Sequence, residues 1–188
     1  MLSMHIEGWE DFENHADPKV LVRVENRTIK QTLMRTRTAL SKDIRKVYNV
    51  KAGDIGKIVN IWKMSWSPAS YNLVYSGDRV QLRHFGLRPR TFHTARGIRK
   101  GVSVRIRKDR GRKVIQGGFY GPGGYPVYMR KTDGTKMKTK NKAAIEKRTG
   151  MSVAHMAGVD PMAKNAFEHM EHHLPLEFVK AMNFYVKD

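Results

Sequence analysis

The stretch GVSVRIRKDRGRKVIQGGFYGPGGYPVYMRK, Gly101 to Lys131, decides how the rest of the chain is read. Its first part alternates, with Val102, Val104 and Ile106 on one side and Ser103, Arg105 and Arg107 on the other. That two-residue period predicts a strand with one face in a core and the other cationic. Asp109 to Gly111 predicts a reversal. From Val114 to Met129 there is then no charged residue. Val114, Ile115, Phe119 and Tyr120 lead into a turn at Gly121 to Gly124, whose glycines tolerate the angles of a tight reversal. Tyr125 to Met129 returns. Pro126 cannot donate to a ladder, so the returning strand is expected to lie at an edge or to begin there. An uncharged hairpin between basic blocks is expected to be buried or covered by a partner.

Outside this stretch the charge is lopsided. The 188 residues carry 36 Lys and Arg against 17 Asp and Glu, a formal net charge of +19. The first 17 residues hold five acids and no Lys or Arg; Arg83 to Lys113 holds twelve basic residues against Asp109 alone; Arg130 to Arg148 holds eight against two. Such a field favours nucleic acid or an acidic protein surface. The absence of cysteine excludes disulfides, thiolate metal sites and a cysteine nucleophile. No run of about eighteen apolar residues predicts a membrane span, and residues 1–19 have neither the basic start nor the apolar centre of a signal peptide, so a soluble protein made in a cytosol is expected.

The longest periodic segment predicts an amphipathic helix. Leu21, Val24, Ile29, Leu33, Leu40, Ile44 and Val47 recur at three- and four-residue steps, Thr36 fills the gap, and Asp17 and Pro18 make a start. Residues 1–17 read as an acidic arm or short helix showing Ile6, Trp9 and Phe12. After the long helix, a short capped helix is expected to run into a strand. Another alternating stretch follows, with a turn at Ser76 to Asp78. The segment near 130–142 reads as an exposed basic loop. Asp160–Pro161 is expected to start one helix with Ala163, Ala166, Phe167 and Met170 on a face, and Pro175 to start a second with Leu176, Val179, Met182 and Val186 together. The fold class is therefore α+β: a long N-terminal helix packed on a mostly antiparallel sheet of four to five strands, with C-terminal helices, in one domain over 18–188.

Catalytic chemistry finds little support. Asp54, Asp78, Asp109, Asp133 and Glu146 show no paired spacing. The glycines of GGFYGPGG lack the Lys and Ser/Thr of a phosphate loop. Glu168, His169, His172 and His173 have spacings that zinc sites use, without the HExxH order, so no metal or cofactor is expected. AIEKRTGMSVAHMAGV resembles a helix-turn-helix at Gly150, but Glu146 stands where a small residue is needed. Arg83, Arg88, Arg90, Arg105, Arg107, Arg110 and Arg112 are the candidate residues facing DNA or an acidic partner. Trp9, Phe12, Phe119, Tyr120, Tyr125 and Tyr128 are the candidate subunit interface.

Four stretches together resemble the phage minor tail protein Z family, tail-completion or neck proteins of long-tailed phages. They are ENRTIKQTLMRTRTALSKDIRKVYNV with KAGDIGKIVNIWKM, then VQLRHFGLRPR, then RKGVSVRIRKDRGRKVIQGGFYGPGGYPVYMRK, then AAIEKRTGMSVAHMAG. The chain departs from the family's pattern at Gly118, commonly Ala there, and at KAAIE, Lys142 to Glu146. The resemblance implies a virion structural protein without enzymatic activity. It further implies a homo-oligomeric ring, hexameric in preference to dodecameric, at the head-tail junction around the DNA channel. Its partners would be copies of itself, the tail terminator or tail tube, the head connector and passing genomic DNA. The rival class is a basic nucleic-acid-binding protein, ribosome-associated or architectural.

Overall fold

The computed structural model describes residues 17–57, 59–63, 71–75, 77–88, 101–120, 127–137 and 140–185. It is α+β, as the pattern predicts. Helix α1 spans Pro18–Val47 and α2 Ala52–Gly56. Short strands follow: β1 Val59–Lys63, β2 Tyr71–Tyr75, β3 Arg79–Gln81, β4 Val102–Val104, β5 Lys113–Ile115, β6 Phe119–Tyr120, β7 Val127–Arg130, β8 Lys136–Met137, β9 Lys140–Ala143, β10 Ile145–Lys147 and β11 Thr149–Ser152. Helices α3, Val153–Gly158, and α4, Met162–Tyr185, complete the described chain.

All ladders are antiparallel, but the strands do not join into one sheet of four to five. Among the described residues they form β10-β7-β6 and the pairs β1-β2, β11-β3, β4-β5 and β8-β9. The turn at Gly77 and Asp78 therefore separates strands that pair elsewhere, β2 with β1 and β3 with β11. Within the span read as one domain, the chain forms two compact units: residues 1–42, 59–75 and 157–188, and residues 43–58 and 76–156.

In the first unit, Asp17 starts α1 as its sequence implies, its carboxylate accepting from Lys19 N–H at 2.8 Å. The buried side of α1 is more polar than its aliphatic spacing suggests. Val24, Thr28, Thr32, Thr36, Leu40 and Ile44 recur every fourth residue and are buried, while Leu21, Ile29 and Val47 are only partly so. Thr28 can be buried because its hydroxyl donates to Val24 O at 2.8 Å. The strands meet this helix at Asn26, whose Oδ1 accepts from the Tyr71 hydroxyl at 3.0 Å.

Helix α4 corrects the reading of two helices, because it continues through Pro175. Its apolar faces are also not those predicted. Phe167, Leu176 and Val179 are exposed, whereas Phe178 and Ala181 are buried with Val24, and Met182, Tyr185 and Val20 pack around them. Glu177 explains the rotation. This buried carboxylate lies 2.8 Å from Arg35 Nε on α1, the contact that holds this face toward α1, and 2.9 Å from Lys180 Nζ one turn on along α4.

In the second unit, the β4–β5 reading holds closely. Register pairs Val102 with Ile115, Ser103 with Val114 and Val104 with Lys113. Val102 and Val104 are buried with Leu82, Leu87 and Val127, and Ile106, Ile115 and Tyr120 pack against them. Val114, opposite Ser103, falls on the other face and is exposed. Strand β7 begins directly after Pro126 but lies in the middle of its sheet, so the proline marks a strand start and not an edge. The basic segment near 130–142 is exposed at 132–136 but is not simply a loop, since β8 and β9 pair there. The helix-turn-helix resemblance also fails: residues 145–147 and 149–152 are strands. Gly150 is there for packing, since a Cβ on it would stand 2.4 Å from Phe85 Cε2.

Gly150→Ala is expected to cost on the order of 1–3 kcal/mol through overpacking against Phe85, read as a lowered melting temperature by circular dichroism. A second expectation concerns acid. The Lys180 hydrogen bond first, with help from the Arg35 charge and against the burial, holds the Glu177 carboxyl below its ordinary 4.5. Its contribution is therefore complete above 4.5 and is lost as pH falls through the lower folded value. Glu177→Gln should flatten the stability profile in that acid range, and at neutral pH it should lower the urea midpoint by the equivalent of roughly 1–3 kcal/mol.

Candidate functional site

The cationic residues gather because three backbone segments are stitched together in the second unit. Residues Leu82–Phe85 form a 3-10 turn, and Gly86 reverses the chain at φ 66°, a left-handed angle that glycine adopts without cost. The chain then returns through Leu87 to Arg88, which exchanges two 2.9 Å backbone bonds with Ser103 on β4. Beyond β4, the loop 105–112 docks on the end of α1: Asn49 N–H donates to Ile106 O and Lys108 N–H to Val47 O, both at 2.8 Å.

These connections enclose an open cleft of about 730 Å³. Its cationic lining is Lys51, Arg83, Arg88, Arg105, Lys108 and Arg112, with Asn49, Val50, His84, Gly86 and Leu87 completing the wall. Two of the arginines are anchored by carbonyl oxygens. Arg112 donates through Nη2 to Gly86 O at 2.5 Å and Ser103 O at 3.0 Å, and through Nε to Ser103 Oγ at 3.3 Å. Arg105 donates to Arg110 O at 3.2 Å and to Lys108 O, while its own carbonyl accepts from Asn49 Nδ2 at 3.2 Å. A carbonyl fixes a guanidinium in place without cancelling its charge. Among the described residues no carboxylate pairs with Lys51, Arg88, Arg105, Lys108 or Arg112. Burial first, then the like charges of Arg88 and Arg105, pull the Arg112 guanidinium below its ordinary range. Behind the lining residue His84, Asp54 Oδ2 lies 2.8 Å from His84 Nδ1, and His84 Nε2 accepts from Arg83 Nε at 3.0 Å.

Four of the seven predicted arginines, Arg83, Arg88, Arg105 and Arg112, thus meet in one cleft. Arg107 and Arg110 do not join them. They line a separate, smaller cavity with Val104, Ile106 and Met151, and Arg107 is forked onto Asp109 at 2.9 and 2.8 Å. That pairing holds the Asp109 carboxyl below the usual range. Arg90 lies outside the described residues. Sequence reasoning missed Lys51 and Lys108: the first sits beyond the helix, in a segment read only for secondary structure, and the second was counted only within the basic run from Arg83 to Lys113.

The predicted interface residues separate by strand parity. Phe119 pairs with Tyr128 and Tyr120 with Val127, so adjacent residues point to opposite faces. Tyr120 lies on the same face as Val127 and packs, half-buried, against the core cluster. Phe119 and Tyr128 stack on the other face, centroids 6.3 Å apart, with Arg130 6.0 Å from the Phe119 ring. Ile145, paired with Arg130 and 39% exposed, extends this face; its sequence context, AIEKRTG, points to a helix-turn-helix and not to a sheet surface. Trp9, Phe12 and Tyr125 lie outside the described residues.

The histidines of α4 stack on one another: the His169 and His173 rings are 4.2 Å apart, and His169 Nδ1 is 3.3 Å from Thr36 Oγ1. Among the described residues no group of three or more His, Asp or Glu is placed to hold a metal ion. Nor is any described helix long and apolar enough to cross a membrane. No family model, curated protein or solved structure matches the chain.

Arg112→Lys keeps the charge but loses the fork that ties Gly86 to β4. It is expected to cost about 1–2 kcal/mol of stability, measured as a shifted urea midpoint with the slope unchanged.

Proposed function

We propose that the chain is a structural subunit of the virion neck or tail-completion assembly of a long-tailed phage. Copies of it form a homo-oligomeric ring, hexameric in preference to dodecameric, at the head-tail junction around the DNA channel. The tail terminator or tail tube and the head connector are its neighbours. Assembly takes place in the host cytoplasm, and the protein acts without catalysis or cofactor.

The observation that carries this reading is the outer face of the β10-β7-β6 sheet. There the half-buried Phe119 and Tyr128 and the exposed Ile145 make an aromatic and aliphatic surface, flanked by Arg130 and Lys147. A three-stranded sheet with open edges gains by being covered, and a head-to-tail contact repeated by rotation closes into a ring. The four-part sequence resemblance supports the same reading. Gly118 is compatible with its departure from the pattern: a Cβ there would lie 2.9 Å from Ile115 O, and glycine avoids that contact. The rival, a nucleic-acid-binding protein outside the virion, would use the cationic cleft but gives this sheet face no role.

Native mass spectrometry tests the proposal. The wild-type protein at micromolar concentration should appear as one closed oligomer. Ile145→Asp, an exposed position, should shift it to monomer while the melting curve stays within a few degrees of wild type. A wild-type protein that is monomeric both alone and mixed with its tail tube would rule the ring out.

A further inference from the structure

We infer that the cleft formed by Lys51, Arg83, Arg88, Arg105, Lys108 and Arg112 is a duplex-DNA site that grips phosphates without reading bases. This deepens the neck reading and rests on it for placing a duplex within reach. Three observations select this occupant. First, the cations converge in a concave site, and five of them have no carboxylate partner among the described residues. Arg88 and Arg105 both lie close enough to Arg112 for their like charges to act on it. Second, Arg105 and Arg112 are held by carbonyl oxygens, so a phosphate would meet guanidinium groups that are already oriented. Third, the described lining contains no Trp, Tyr or Phe. Single-strand sites stack bases on aromatic rings, and a cleft without them suits a backbone whose bases are already stacked in a duplex.

The obvious competitor is the acidic segment 1–17 of a neighbouring copy. Charge conservation argues against it. The five acids of that segment are already counted in the +19, so exchanging arms between copies leaves every subunit at +19. A ring of such subunits therefore keeps its net positive charge, and a duplex passing through it supplies the opposite charge.

The test uses the full-length protein and a fluorescent 24-base-pair duplex, titrated at several salt concentrations. With about five phosphates engaged, log K should fall against log salt with a slope of about −4.5. Lys51→Gln with Arg88→Gln should flatten the slope by about 2 and weaken binding at low salt by about tenfold or more. The control pair Lys30→Gln with Lys164→Gln removes the same charge from exposed positions of the first unit and should leave the slope unchanged. Equal losses from both pairs would overturn the site, because they would mean general charge attraction. So would tighter binding of the single strand than of the duplex, or saturation of the cleft by a peptide of residues 1–16 at one equivalent. The oligomer assay keeps this separate from the ring: a monomer that still needs Lys51 and Arg88 for DNA retains the cleft and loses the ring, and a ring indifferent to them does the reverse.

Discussion

The second unit depends on how its arginines are satisfied. With 36 basic residues and 17 acids there are too few carboxylates to pair them, and from Arg83 to Lys113 Asp109 is alone. Arg107 takes Asp109; Arg105 and Arg112 take backbone carbonyls. The chemical difference matters. An ion pair ends as a nearly neutral unit, whereas a guanidinium bonded to a carbonyl is rigid and still fully charged. The guanidinium bonds that shape the loop 105–112 and tie it to β4 are therefore the same ones that leave a charged cleft.

The two surfaces proposed to matter are products of strand parity in one meander. On β4 and β5 the core takes Val102, Val104 and Ile115, and the opposite face takes Ser103 and Val114. On β6 and β7 the core takes Tyr120 and Val127, and the opposite face takes Phe119 and Tyr128. An apolar residue on the outward side is unfavourable for an isolated subunit, though a single one is common enough to need no explanation. A stacked aromatic pair continued by Ile145 is a patch, and a patch is what an assembling protein presents.

The first unit follows a different logic. Its helices meet through Thr36 and a buried glutamate as well as aliphatic side chains, and a buried polar group with a partner on the other helix restricts how the two can rotate. Glu177 is the clearest case. By reaching Arg35 it turns Phe178 and Ala181 inward and leaves Leu176 and Val179 outside, against the apolar periodicity.

The sequence by itself determined the fold class, the start of α1 at Asp17, the β4 alternation and the beginning of β7 after Pro126, because these depend on local backbone preference and on periods of two or three to four residues. It also named four of the six cations in the cleft, since charge density is visible in one dimension. Only the tertiary structure decided that β2 and β3 pair with different strands, that α4 runs through Pro175, that Tyr120 faces inward, and that Lys51 and Lys108 join arginines distant in the chain. Each of those outcomes is set by a partner far away in sequence: β11 for β3, Arg35 for Glu177, Asn49 for the 105–112 loop. No local pattern carries the identity of a partner that only folding brings near.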